Sequence, residues 1–205
     1  MVPFIQILKN AKILDYGCGC GYVGLLCLLL EGTQVDFFDP LEKNLKYLRY
    51  LVNEYNFNNY KIFSTDLFPE INYYDVFILY GVLPFSGNAI NILRYARDHS
   101  DKLLINLQTN SCISPQNIML KTWEGSVPKN YLPFEIVYSE SALETILINT
   151  GWHITQKKES YKKNRFVYLC AWHFCYYNYN IVMSKNPYWE YAGTRYTSKF
   201  DALVS

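Results

Sequence analysis

Histidine and methionine are scarce, with three residues of each, and no two of the six cysteines are spaced Cys-x-x-Cys. Structural zinc sites draw on four ligands, commonly in such close pairs, so no bound metal is expected. Cys18, Cys20, Cys27, Cys112, Cys170 and Cys175 lie in or beside hydrophobic stretches. They read as reduced, partly buried side chains of a cytoplasmic protein. Charge of one sign is missing too: 19 Lys and Arg stand against 18 Asp and Glu, a net charge of +1. Such a balance lacks the basic field of a nucleic-acid binder. The one local basic stretch, residues 157–165, reads as a solvated hairpin. Long apolar runs are absent as well. The longest, residues 23–30, falls far short of the ~20 residues that cross a bilayer. The N-terminus lacks the basic-then-apolar pattern of a secretory signal. No membrane partner is expected.

What is present is a chain half hydrophobic in composition, enough for one core. Its hydrophobic segments alternate in period. Strands are predicted at residues 12–15, 34–38, 61–64, 75–80, 103–107, 153–157 and 166–171. Helices are predicted over residues 22–30, after Pro40, over 88–96, and from Ser139 to just before Gly151. Leu41, Leu45, Leu48, Val52 and Tyr55 recur at helical spacing, with Pro40 placed for a first helical turn. Alternating strands and helices imply a doubly wound α/β fold, a mostly parallel seven-stranded sheet with helices on both faces. The last two strands have too short a link for a parallel crossover, so a C-terminal antiparallel hairpin is expected. The domain is expected over residues 1–173. A Tyr-rich extension, residues 174–205, follows, and no repeat is visible.

Residues 13–26, ILDYGCGCGYVGLL, place glycine at every second position between a strand and a helix. A metal clip is disfavoured by the missing partner ligands. A phosphate-binding P-loop needs Lys-Ser or Lys-Thr after the glycines, and Tyr22-Val23 stands there. Gly19-Cys20-Gly21-Tyr22-Val23-Gly24 matches the dinucleotide pattern G-x-G-x-x-G, with Asp39 at about the expected distance. Yet the run begins earlier, as Asp15-x-Gly17-x-Gly19-x-Gly21. That longer loop suits a ligand without a pyrophosphate, with a carboxylate available for a cationic group.

Here the chain resembles the class I S-adenosylmethionine-dependent methyltransferases. Residues 13–25 look like their first motif and VDFFDP, residues 35–40, like their second. STDLF, residues 64–68, resembles the acidic-hydrophobic pair after strand three. YYDVFILYGVLPF, residues 73–85, resembles the fourth motif strand and its loop. The resemblance runs in order to about residue 107. It implies S-adenosyl-L-methionine as cofactor, with S-adenosyl-L-homocysteine as product. Gly17, Gly19 and Gly21, with Cys18 among them, would pass beneath the methionine part and ribose. Asp15 would hold the amino group. Asp39, with Pro40, would accept from the ribose hydroxyls, Asp66 would meet the adenine amino group, and Leu67 its ring. Tyr80 and Gly81 would stand beside the methyl-transfer position.

Transfer of an activated methyl group needs alignment more than a dedicated acid or base. Tyr80 is the one catalytic candidate. His99, His153 and His173 read as structural. The loop after strand four lacks the Asn-Pro-Pro-Tyr type of sequence that holds planar amines. An exocyclic base amine is therefore disfavoured, and the expected acceptor is an oxygen or nitrogen of a small molecule. Many family members carry helices ahead of strand one, where this sequence has little. The connection 108–138, with Trp123, Tyr131 and Phe134, is expected to serve as a substrate lid. Rival readings are a nucleic-acid methyltransferase, a nicotinamide-dependent oxidoreductase and a non-catalytic scaffold.

Overall fold

The computed structural model describes residues 5–64, 72–109, 118–122, 134–159 and 198–204. A short helix α1 (Ile5–Leu8) leads into β1 (Lys12–Tyr16), α2 (Tyr22–Leu28), β2 (Gln34–Phe38), α3 (Glu42–Glu54) and β3 (Tyr60–Phe63). Then come β4 (Tyr74–Tyr80), a 3-10 turn (Leu83–Phe85), α4 (Ala89–His99) and β5 (Ser100–Thr109). The chain continues through β6 (Ile118–Thr122), β7 (Phe134–Tyr138), α5 (Glu140–Asn149), β8 (Ile154–Glu159) and β9 (Ser198–Val204).

Five strands pair in parallel in the order β3-β2-β1-β4-β5, with Ile13 beside both Val35 and Val76. The chain leaves β1 for β2 and β3 on one side and reaches β4 and β5 on the other. The switch between β1 and β4 opens a crevice at the carboxyl ends of the strands. Neighbouring residues point to opposite faces, and both faces are buried. Ile13, Phe37 and Ile78 pack with Leu45 and Leu48 of α3. Leu14, Phe38 and Leu79 pack with Leu93 of α4 and Leu147 of α5. This is why these strands read as continuous hydrophobic runs rather than alternating ones. Trp152, 1% exposed, closes the second layer by donating its indole N–H to Leu93 O at 3.0 Å. Ser139 caps α5, its hydroxyl oxygen accepting from Ala142 N at 3.1 Å. Among the described residues no helix is long and apolar enough to cross a membrane.

The edge beyond β5 differs from expectation. Nine strands are present among the described residues rather than seven. The connection 108–138 contributes two of them, with β6 and β7 pairing antiparallel from Ile118↔Tyr138 to Thr122↔Phe134. Its prolines and its length concealed the short strands between them. β8 pairs antiparallel with β9, and β9 lies antiparallel to β5. The partner expected for β8, residues 166–171, lies outside the described residues. Strand β9 comes from the segment read as an extension. Pro40 also sits earlier than expected, two residues ahead of the first helical position. The helix starts at Glu42 with Leu41 as its N-cap, so Pro40 precedes the cap instead of entering the first turn.

Candidate cofactor site

The glycine loop bridges β1 and α2 at the carboxyl edge. Gly17, Gly19 and Gly21 have φ of +68°, +56° and +79°, the left-handed region where a Cβ is unfavourable. The loop is tied to the end of β2. The Gly17 and Cys18 amides donate to Phe38 O at 2.7 and 2.9 Å. A side chain at Gly17 would also run into Val82, which follows β4, so the loop lies close against the chain leaving strand four. Gly24, the last glycine of the pattern, serves packing. A Cβ there would stand 2.9 Å from Asp15 Oδ2 and collide with the Phe37 ring.

Two carboxylates close on this loop. Asp15 is 2% exposed, and its Oδ2 accepts from Gly24 N at 2.9 Å. Asp39 is 4% exposed and accepts three hydrogen bonds. Gly19 N donates to Oδ2 at 2.8 Å, while Leu41 N and the Asn44 amide donate to Oδ1 at 2.9 and 3.0 Å. Asp39 thus joins the glycine loop to the first turn of α3. Burial pushes the Asp15 carboxyl up to about 7, against the opposing Gly24 N–H and with the charge of Asp39 adding to it. Burial raises Asp39 as well, in spite of its three donors. Two buried carboxylates this close in charge, with Asp39 raising the proton affinity of Asp15, favour a cation nearby.

Burial, aided by the neighbouring carboxylates, holds the Cys18 thiol well above its ordinary range and raises Cys20. At neutral pH both are neutral thiols, small side chains in a crowded turn rather than thiolate ligands. Among the described residues no group of three or more His, Cys, Asp and Glu is arranged to hold a metal ion.

At the end of β4, Tyr80 lies beside Asn106 of β5 in register. The Gly81 amide donates to Asn106 O at 2.7 Å, and Gly81 has φ +72°. Among the described residues no heavy atom lies within 4 Å of where a Gly81 side chain would begin. The chain therefore turns out of β4 leaving space beside the glycine loop. Asp66 and Leu67 lie outside the described residues, as do Trp123, Tyr131 and His173. Phe134 opens β7 opposite Thr122. His99 lies at the far, amino end of β5, its ring stacked on Tyr95 at 4.1 Å and its Nδ1 2.9 Å from Tyr95 O. His153 is exposed ahead of β8.

The fold brings Asp15, Gly17, Cys18, Gly19, Gly21, Asp39 and Pro40 together, with Tyr80 and Gly81 across the crevice. Reasoning from sequence missed Asn44, Val82 and Asn106. Asn44 was findable in principle, because it stands in the first helical turn after the strand-two carboxylate. Val82 and Asn106 give no local signal.

Comparison with known proteins agrees with this geometry. The family model described as tellurite resistance protein TehB matches residues 1–165. No curated protein matches the chain in sequence. An S-adenosylmethionine-dependent methyltransferase from Mesorhizobium loti is 12% identical, with a TM-score of 0.63 over 98% of this chain and 95% of that one. A Burkholderia thailandensis 1,6-didemethyltoxoflavin-N1-methyltransferase was solved with 1,6-didemethyltoxoflavin and S-adenosylhomocysteine bound. It is 11% identical, with a TM-score of 0.65 over 99% of this chain and 74% of that one. TehB from Haemophilus influenzae is 18% identical, with a TM-score of 0.58 over 99% of this chain and 60% of that one. At such identities the likeness to these structures is one of fold. The family model itself runs through all five parallel strands and past β8, and the chain belongs to the TehB tellurite resistance protein family, built on the Rossmann-like fold of the S-adenosylmethionine-dependent methyltransferases.

Proposed function

We propose that the protein transfers the methyl group of S-adenosyl-L-methionine to an oxygen or nitrogen of a small-molecule acceptor. The observation that carries this reading is the pair of buried carboxylates, Asp39 bonded to the middle of the glycine loop at Gly19 and Asp15 bonded to Gly24 in the helix that follows it. A dinucleotide loop supplies amides to a pyrophosphate. Here the loop's flanks supply negative charge, which fits a ligand bearing an ammonium and a sulfonium.

The residues present fit that ligand. Gly17, Gly19 and Gly21 offer bare backbone for close approach with Cys18 a small side chain among them, Asp15 holds the ammonium directly or through water, and Asp39 beside Pro40 takes the ribose. Asp66 and Leu67 receive the adenine. When bound, the cofactor supplies a methyl group that is already electrophilic. The chain's own work is to hold the acceptor in line near Tyr80 and Gly81 and to keep water out. Among the described residues Tyr80 carries the hydroxyl best placed to orient an acceptor. We take residues 1–173 as the methyltransferase unit, with residues 174–205 appended to it and β9 adding to its sheet. The segment 108–138 is the lid. The protein acts in the cytoplasm, without nucleic-acid or membrane partners.

The test is a calorimetric titration with S-adenosylhomocysteine and, separately, NAD, followed by a transfer assay with labelled cofactor. Acceptors would include metabolite pools, RNA and, given the family's description, tellurite. Binding of S-adenosylhomocysteine alone and label in a small-molecule fraction are expected. Binding of NAD in its place, or label in RNA, would overturn the reading.

A further inference from the structure

The inference concerns Asn44 and rests on the reading of Asp39 as the ribose ligand. An ionised carboxylate offers about four acceptor positions and no donor. Three of those on Asp39 are already used, by Gly19 N at 2.8 Å, Leu41 N at 2.9 Å and Asn44 Nδ2 at 3.0 Å. A ribose diol brings two hydroxyl protons to a group with about one position left. One internal donor must give way. The two backbone donors are fixed, Gly19 by the loop and Leu41 by the start of α3. Asn44 is the side-chain donor of the three, whose displacement leaves the backbone in place. It is part-buried, and it stands in the first turn of α3. The orientation of its amide follows from chemistry, because only the NH₂ end can face an acceptor-only carboxylate.

We infer that Asn44 is a cofactor-binding residue that reads the ribose together with Asp39. One ribose hydroxyl inserts between them. It donates its proton to Asp39 Oδ1 and accepts at its oxygen from the Asn44 amide. One direct bond is replaced by two, the hydroxyl is satisfied as donor and acceptor, and no carboxylate position is overfilled. A ligand lacking that hydroxyl leaves Asn44 on Asp39 and gains nothing from it. Asn44 therefore selects a ribonucleoside over its deoxy counterpart, and it draws the first turn of α3 into cofactor binding.

The experiment measures, by calorimetry, S-adenosylhomocysteine and its 2′-deoxy and 3′-deoxy analogues on the wild type, Asn44→Ala and Asn44→Ser. Thermal melts serve as the fold control. Asn44→Ala is expected to weaken S-adenosylhomocysteine about five- to tenfold, the size of one hydrogen bond. One deoxy analogue should bind wild type and variant alike. Asn44→Ser, which keeps a shorter donor, should recover part of the loss. An equal loss for S-adenosylhomocysteine and both analogues would mean that Asn44 only holds α3 in place, and would overturn the inference. Unchanged affinity in a folded Asn44→Ala protein would overturn it as well. A folded wild type that binds no S-adenosylhomocysteine at all would instead remove the methyltransferase reading, and this inference with it.

Discussion

The carboxylate of Asp15 reaches from near the carboxyl end of β1 to the amide of Gly24 inside α2, 2.9 Å away, and is buried there. Burial raises its proton affinity to about 7 from 3.8. Below 3.8 folded and unfolded chains both hold the proton, and the group does not distinguish them. Between 3.8 and about 7 the folded chain keeps a proton that the unfolded chain has lost, so stability falls as pH rises through this window. Above about 7 the loss is complete. Thermal melts of the free protein from about pH 4 to pH 8 should show this decline, and Asp15→Asn should flatten it. A ligand ammonium beside Asp15 favours the ionised form. S-adenosylhomocysteine affinity should therefore rise with pH through about 7, with a proton released below it. Affinity independent of pH would remove Asp15 from the ammonium site.

Asp39 has a double role that separates in measurement. Asp39→Ala is expected to weaken S-adenosylhomocysteine by about 1.5–3 kcal/mol, the range for hydrogen bonds to a charged group. It should also lower unfolding stability, because Gly19 N, Leu41 N and Asn44 lose their acceptor. Asp39→Asn keeps an acceptor oxygen and should cost less on both counts. Unchanged calorimetric affinity in a folded alanine variant would exclude the ribose role.

Gly19 has φ +56°, a region that β-branched residues avoid. Gly19→Val should abolish cofactor binding and turn the amide away from Asp39. Cys18→Ser and Cys20→Ser should be far milder. Stoichiometric zinc in the purified protein, lost in either serine variant, would contradict this account of the loop.

Away from the site, Tyr74 OH donates at 3.0 Å to Oδ2 of Asp36 in β2. Among the described residues nothing reaches the buried Oδ1. Tyr74→Phe strips Asp36 of that donor and should destabilise the fold by about 1–3 kcal/mol. Asp36→Val added to it removes the stranded carboxylate. The double variant should be more stable in urea than Tyr74→Phe alone; equal or lower stability would show that Asp36 is satisfied by another route.

Trp123→Ala tests the lid. If residues 108–138 wall the acceptor, the variant should raise the acceptor's KM or lower turnover while S-adenosylhomocysteine affinity stays nearly unchanged. A lower melting temperature with unaltered kinetics would make the segment a packing element.

The sequence alone determined the parallel core and the loop at its centre. Ile13, Phe37 and Ile78 each have an apolar neighbour in sequence, Leu14, Phe38 and Leu79, so burial on both faces is written locally. The left-handed turns of Gly17, Gly19 and Gly21 are equally local, because a missing Cβ is a property of the residue. Only the tertiary structure decided what those turns meet. The three donors on Asp39 converge from the glycine loop, the N-cap of α3 and its first turn, and the contact of Gly17 with Val82 spans the switch between β1 and β4. The edge beyond β5 was likewise undecided, because the partners of β6, β7 and β9 are chosen by the sheet. Periodicity records which face of a segment is buried. Pairing and convergence depend on which distant backbone groups the folded core leaves within hydrogen-bonding reach.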